Sequence, residues 1–267
     1  MNAEMVSRRL ESVRTRRPMV HNITNFVVMN STANALLAVG AAPVMAHAAE
    51  EAAEMAALAD ALVLNIGTLS PDWVEAMVLA GISAARKGIP IVLDPVGAGA
   101  TRLRTDSARR LLAELPVAVV RGNPSEILAL AGGEQKTRGV DAAHASADAL
   151  EAAQLLASRH STVVAVTGAT DYVTDGNRVV AVDNGHQLLG RVTGTGCMVS
   201  ALTGAFVAVS RPEVLEGAAA ALAFFGLCAE IAAERAAGPA SFETALLDAL
   251  AAATAADVLS RAKIHEL

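Results

Sequence analysis

The chain has 267 residues, 53% of them hydrophobic and 18% charged but only 3% aromatic, so it carries material for a sizeable core built from Ala, Val and Leu. Its 21 Lys and Arg against 27 Asp and Glu leave a net charge of -6, which argues against broad attraction to phosphate backbones or anionic lipid and removes nucleic acid from the expected partners. Cys197 and Cys228, the two cysteines, are too few for a disulfide framework and fit a reducing cytoplasm.

Val6, Leu10 and Val13 recur at helical spacing and predict a first amphipathic helix. The surrounding arginines do not read as a targeting peptide, because Glu4 and Glu11 intrude and no apolar core follows Met1. Continuous apolar runs of buried-strand length follow at 19–23, 43–46, 61–66, 90–94, 117–121 and 162–167. Between them lie alanine-rich segments predicted as helices at 31–39, 50–60, 71–87, 103–114, 124–131 and 147–160. Such alternation predicts an α/β fold, a mostly parallel sheet covered by helices on both faces. Ser70 ahead of Pro71 is a helix start, and Gly88 after Arg86 and Lys87 is a stop. Asp175, Gly176 and Asn177 separate β-prone runs at 172–174 and 178–182, which predicts an antiparallel hairpin near one edge of the sheet. The last third predicts helices at 195–209, 213–236 and 242–259. The mean hydropathy of +0.42 reflects alanine, and the apolar run 218–229 is interrupted by Gly226 and falls short of the roughly 20 residues a membrane span needs. Without repeats, Pro/Ser-rich linkers or low-complexity blocks, residues 1–267 are expected to form one domain.

In open parallel sheets ligands bind beyond the carboxyl ends of the strands. Asn22 and Asn25, Met45 and His47, Asn65, Asp94, Arg121 to Glu126, and Thr167 with Gly168 all fall there. Gly190 to Met198 (GRVTGTGCM) leads small residues straight into a helix, whose free N–H groups and dipole attract an anion. No GxxxxGK[ST] occurs and no GxGxxG follows the first strand, so a P-loop or Rossmann site is disfavoured. Asn123, Pro124 and Glu126 read as a helix cap, while Glu126 together with Asp94 also suits a hard cation such as Mg²⁺, directly or through water. Cys197, at a helix start, is expected to have a lowered pKa and to act on a substrate hydroxyl. Cys228 reads as a small buried apolar residue. None of the six histidines shows a zinc-type spacing with either cysteine.

Taken together these motifs resemble the ribokinase-like superfamily, and within it the hydroxyethylthiazole kinases. The resemblance covers nearly the whole chain. It is carried by His21-Asn22-Ile23-Thr24-Asn25, Gly40 to His47 (GAAPVMAH), Asp94-Pro95-Val96-Gly97-Ala98, Arg121 to Glu126 (RGNPSE), Val166-Thr167-Gly168 and Gly194-Thr195-Gly196-Cys197. It implies a three-layer α/β/α fold and Mg²⁺- and ATP-dependent phosphorylation of 4-methyl-5-(2-hydroxyethyl)thiazole. By that resemblance Met45, Gly194 and Asn25 would meet the thiazole alcohol. Arg121 and Thr167 would bind ATP with Asn123, Gly168 and Gly196 beside them, Asp94 and Glu126 would manage Mg²⁺, and Cys197 would be the base. Most of the superfamily carries Asp at the Cys197 position, whereas thiazole kinases can carry Cys. A cytoplasmic homotrimer with the thiazole site between subunits is also implied. Kinases for hydroxymethylpyrimidine or pyridoxal on the same scaffold, a non-catalytic nucleotide-binding domain and, third, an acyl-transfer enzyme using Cys197 are the alternatives.

Overall fold

The apolar runs do pair side by side. In the computed structural model of the chain, which describes residues 1–132 and 142–267, six strands run parallel. They are β1 (Met19–Ile23), β2 (Ala42–Val44), β3 (Ala61–Asn65), β4 (Ile91–Asp94), β5 (Val119–Gly122) and β6 (Val163–Val166). The antiparallel strands β7 (Asp171–Thr174), β8 (Val179–Val182) and β9 (Ile264–Glu266) extend the same sheet, in the order β2-β1-β3-β4-β5-β6-β7-β8-β9.

The strands read as unbroken apolar runs because both faces are covered, and their period of two sorts alternate residues into two cores. Val63, Val92 and Val119 face one core, whereas Leu62, Leu93 and Val120 face the other. The first core lies under α1 (Ala3–Arg16), α2 (Met29–Val39), α8 (Thr195–Ala208), α9 (Val214–Ala233) and α10 (Pro239–Ala252), with α11 (Ala255–Arg261) beside them. The second lies under α3 (Ala49–Leu58), α4 (Pro71–Lys87), α5 (Arg102–Glu114), α6 (Pro124–Ala131) and α7 (Ala142–His160). This is a three-layer α/β/α arrangement. Helix α9 is long and apolar enough to cross a membrane, yet 83% of its most apolar stretch is buried inside the protein, so it is a core helix. Phe206, Phe224 and Phe242 are fully buried in that first core, each contributing roughly 2 to 3 kcal/mol by leaving water.

Where the chain departs from the predicted boundaries, local chemistry gives the reason. Strand β2 stops at Val44, short of the predicted 43–46, because the Ala46 carbonyl faces His21 Nε2 at 2.6 Å and not the ladder. The predicted helix 242–259 is two helices: Thr254 caps α11 in a reciprocal pair with Asp257, which ends α10 at Ala252. Strand β9 and a short 3₁₀ turn over Gln187–Arg191 were not predicted. The helix predicted over 147–160 extends back to Ala142, and residues 133–141 lie outside the described residues. The Ser70, Gly88 and Asn123 caps form as the sequence implies.

Helix α9 also sets the shape of the region beyond β8. A methyl group on Gly226 would lie 2.6 Å from the Asn184 carbonyl carbon, so the helix and this loop touch backbone to side-chain position with no room between them. The expected outcome for Gly226→Ala is a destabilisation of about 1 to 3 kcal/mol in denaturant unfolding, since a backbone carbonyl cannot swing aside as a side chain would. Unchanged stability would mean that the loop yields freely.

Candidate active site

The carboxyl ends of β1, β3, β4, β5 and β6 meet the N-terminus of α8. Gly194 begins that helix with φ +87°, a left-handed conformation suited to glycine, and a side chain there would lie 2.9 Å from Val28 Cγ1. The first helical bond runs from Met198 N–H to the Gly194 carbonyl at 2.8 Å, so the amides of Thr195, Gly196 and Cys197 lie ahead of the ladder and are available to an anion. Thr195 Oγ1 donates to the Leu189 carbonyl at 2.9 Å and fixes the loop that leads in.

Beneath this helix start lies a buried polar network whose geometry follows from sheet register. Asn65 and Asp94 are paired across β3 and β4, and each lies two residues beyond a side chain of the α8 core, Val63 and Val92, so both point at α8. On α8, Cys197 and Ser200 are one turn apart and meet them. Asn65 Nδ2 donates to Asp94 Oδ2 at 2.8 Å and to Cys197 Sγ at 3.2 Å, and Ser200 Oγ donates to Asp94 Oδ2 at 2.8 Å. Asn25 Nδ2 donates to Asn65 Oδ1 at 2.9 Å and reaches Cys197 Sγ at 3.5 Å. Asp94 Oδ1 is buried without a hydrogen-bond partner among the described residues.

Burial dominates the protonation of this cluster. Asp94 is pushed up to about 6, mainly by burial and further by Glu126, against the pull of Arg121, Ser200 and Asn65. The lowered thiol pKa expected for Cys197 is not found. Burial, followed by the nearby Asp94 carboxylate, pushes the Cys197 thiol up to about 11, outweighing the two amide donors and Arg121. A helix N-terminus lowers a thiol pKa where solvent also reaches the sulfur; here desolvation and a like charge prevail. Cys228 is fully buried and its thiol is likewise raised, as a core residue.

Four of the remaining predicted residues line an adjoining cavity of about 600 Å³, whereas Asn123, Glu126, Met45 and Gly194 are not part of its lining. Arg121, Thr167, Gly168 and Gly196 line its polar side, and Leu222 and Phe225 its apolar side. Arg121 Nη2 donates to Thr167 Oγ1 at 2.6 Å, and a Cβ on Gly196 would lie 2.9 Å from Arg121 Nη1, so the glycine admits the guanidinium against the helix start. Asp171 Oδ1 accepts from Gly168 N–H at 2.9 Å and holds that turn. Asn123 is exposed and its side chain caps α6, while Glu126 accepts from Asn123 N–H at 2.9 Å and from Gly97 N–H at 2.8 Å. Glu126 is therefore already engaged in shaping two loops. Met45 stands at the carboxyl end of β2, half-buried and outside the hydrogen-bonded network. Nearby His47 stacks on Trp73 with ring centroids 4.2 Å apart.

Residues 10–256 match the model of the hydroxyethylthiazole kinase family. The chain belongs to the hydroxyethylthiazole kinase family. The hydroxyethylthiazole kinase of Chloroflexus aggregans is 58% identical over 96% of this chain and 92% of its own length. That of Methanocella arvoryzae is 54% identical over 99% of both. The solved hydroxyethylthiazole kinase of Pyrococcus horikoshii superposes with a TM-score of 0.91 at 52% identity, covering 98% of each chain. A pyridoxal kinase from Staphylococcus aureus, solved with AMP-PCP and pyridoxal, has a TM-score of 0.65 at 14% identity over 94% of this chain and 98% of its own, which shows a shared fold. As a member of a kinase family, the chain is a phosphotransferase that uses ATP.

Sequence reasoning missed Ser200 as a partner of Asp94 and placed Asn65 only as a polar strand end. The one available signal was spacing: Cys197 and Ser200 share a helix face three residues apart. Because Asp94 titrates near 6 in the folded chain against an ordinary 3.8, its charge opposes folding above that range and not below about pH 4. Without nucleotide or metal, the stability of the native chain relative to Asp94→Asn is expected to fall by roughly 2 kcal/mol between pH 4 and pH 8. Urea unfolding of both proteins at the two pH values measures this, and a difference independent of pH would contradict it.

Proposed function

We propose that the chain, as one domain over residues 1–267, transfers the γ-phosphoryl group of ATP to the hydroxyl of 4-methyl-5-(2-hydroxyethyl)thiazole, giving the thiazole phosphate and ADP. Hydroxyethylthiazole kinase activity follows from family membership; the residue roles are those that the family resemblance implies, set against the geometry of the site. The observation that carries it is the juxtaposition of an α8 start, with its free amides, a buried polar cluster containing Cys197, and the Arg121 cavity. The cavity is of a size for a nucleotide. Arg121, Thr167, Gly168, Asn123 and Gly196 are assigned to the nucleotide; the amides of Thr195, Gly196 and Cys197 are assigned to the charge that develops on the transferred group. Asn25, Met45 and Gly194 are assigned to the thiazole alcohol.

A divalent cation suits the residues present. Asp94 offers a buried carboxylate oxygen with no partner among the described residues, while Glu126, with both oxygens already accepting backbone N–H groups, suits contact through water. Among the described residues no three His, Cys, Asp or Glu side chains gather into a metal site, which agrees with Mg²⁺ held chiefly by substrate phosphates and one or two carboxylates. When bound, Mg²⁺ neutralises charge on the phosphates.

The hydroxyl oxygen forms a bond to the γ-phosphorus as the bond to the bridging oxygen of ADP breaks. The hydroxyl proton passes to Cys197 Sγ as thiolate, a form scarce at neutral pH given a thiol near 11. A loose transition state tolerates this, since the proton leaves late and positioning matters more than base strength. One domain is supported by a single sheet that recruits strands from Met19 to Glu266. A homotrimer with the thiazole site between subunits is supported by Phe26 and Val27, which follow Asn25 and are 62% and 66% exposed. The free thiols support a cytoplasmic location.

Phosphorus NMR with Mg-ATP and, separately, the hydroxyethylthiazole, hydroxymethylpyrimidine and pyridoxal is expected to show a new phosphomonoester with the thiazole alone. Turnover of another alcohol instead would move the specificity, and none at all would favour a non-catalytic nucleotide-binding domain. Cys197→Asp is expected to keep activity and Asp94→Asn and Glu126→Gln to lose more, by about 10- to 100-fold in kcat. The native kcat should rise between pH 7 and 9 as thiolate accumulates, and Cys197→Asp should flatten that rise. An inactive Asp variant beside a fully active Glu126→Gln would sink the residue assignment.

A further inference from the structure

Asn65, the last residue of β3, is 1% exposed and uses its whole amide. Its Oδ1 accepts from Gly67 N–H at 3.0 Å and from Asn25 Nδ2 at 2.9 Å, and its Nδ2 donates to Asp94 Oδ2 at 2.8 Å and Cys197 Sγ at 3.2 Å. The orientation of this amide is fixed by its neighbours. A backbone N–H only donates, so the Gly67 side is oxygen, which leaves nitrogen facing the carboxylate and the sulfur. The same reasoning runs on to Asn25, whose Nδ2 faces Asn65 Oδ1 and Cys197 Sγ, at 3.5 Å from the sulfur. Two amide donors, both from residues at strand ends, therefore engage the sulfur, and Cys197 itself stays partly exposed beside Gly196, which lines the cavity.

We infer that Asn65 is a positioning residue for phosphoryl transfer: its two N–H bonds hold the Asp94 carboxylate and the Cys197 sulfur in one fixed relation, and with Asn25 they turn the open side of the sulfur towards the substrate hydroxyl. A near-attack arrangement needs just this kind of restraint, because a displacement of about 1 Å at the reacting atoms costs on the order of 100-fold in rate. A cysteine side chain has one rotatable bond to Sγ, and a helical backbone disfavours one of its three rotamers but leaves the other two open. The Asn65 and Asn25 amides make that choice. Asn65 acts through Cys197 and Asp94 and is not assigned to substrate or nucleotide.

The inference rests on the reading of Cys197 as the group at the hydroxyl, and a double-mutant cycle separates the two. Steady-state kcat and KM are measured for the native chain, Asn65→Ala, Cys197→Ala and the double variant. Asn65→Ala is expected to lower kcat roughly 10- to 100-fold with KM for ATP within about twofold, and to cost only a few-fold more once Cys197 is already Ala. Full multiplication of the two effects, or a loss confined to KM, would overturn the positioning role, since damage to the fold alone gives no coupling to the sulfur. Native kcat in Cys197→Ala alone would instead bring down the reading of Cys197, and the inference with it. Should Asn65→Ala fail to fold, Asn65→Leu takes its place in the cycle, as it fills the same volume and removes both N–H donors. The same kcat loss and the same coupling are then expected.

Discussion

A carboxylate taken wholly out of water has to be held by donors, and the architecture around Asp94 is organised by that requirement. The strand register puts Asn65 beside it, and the turn of α8 puts Ser200 over it. Both donors converge on Oδ2, and the other oxygen has no partner among the described residues in a buried setting, an arrangement costly to folding. Such a cost is characteristic of sites kept for chemistry and not for stability. The fold absorbs it with two large apolar cores, one on each face of the sheet.

The same geometry decides how the thiol behaves. A helix start favours negative charge, and two amides lean on the sulfur, yet the loss of water and, after it, a buried carboxylate in the same network act against ionisation more strongly. The cluster is therefore poised to orient more than to deprotonate. The amides that precede the ladder lie at the α8 start, where Gly194 in its left-handed conformation lets the chain turn sharply into the helix.

Much of this was readable in the residues themselves. Apolar runs at buried-strand length found the parallel strands, because a sheet covered on both faces imposes an uninterrupted apolar pattern. Caps such as Ser70 with Pro71, and Asn123 with Glu126, found helix ends because their hydrogen bonds are local. What escaped depended on distant partners. Strand β9 is three residues long with two of them exposed and polar, and only pairing with β8 makes it a strand. The break at Thr254 lies in an alanine-rich run whose helical signal outweighed one capping pair. At the site, Asp94, Asn25 and Cys197 stood out as strand-end and helix-start residues, whereas the bond from Asn65 to Cys197 spans 132 positions and comes from tertiary register. The direction of the Cys197 shift was misread for the same reason, since the helix dipole is local and burial is not.

The raised thiol has a consequence for how the protein meets oxidants. Peroxide and other electrophiles attack the thiolate, and reactive cysteines are those that ionise near neutral pH. Cys197 stays protonated among amides beside a carboxylate, and Cys228 is sealed in the first core. Neither sulfur is easily carried up the oxidation ladder, so a cysteine at a helix start beside a buried carboxylate does not make the protein a redox sensor.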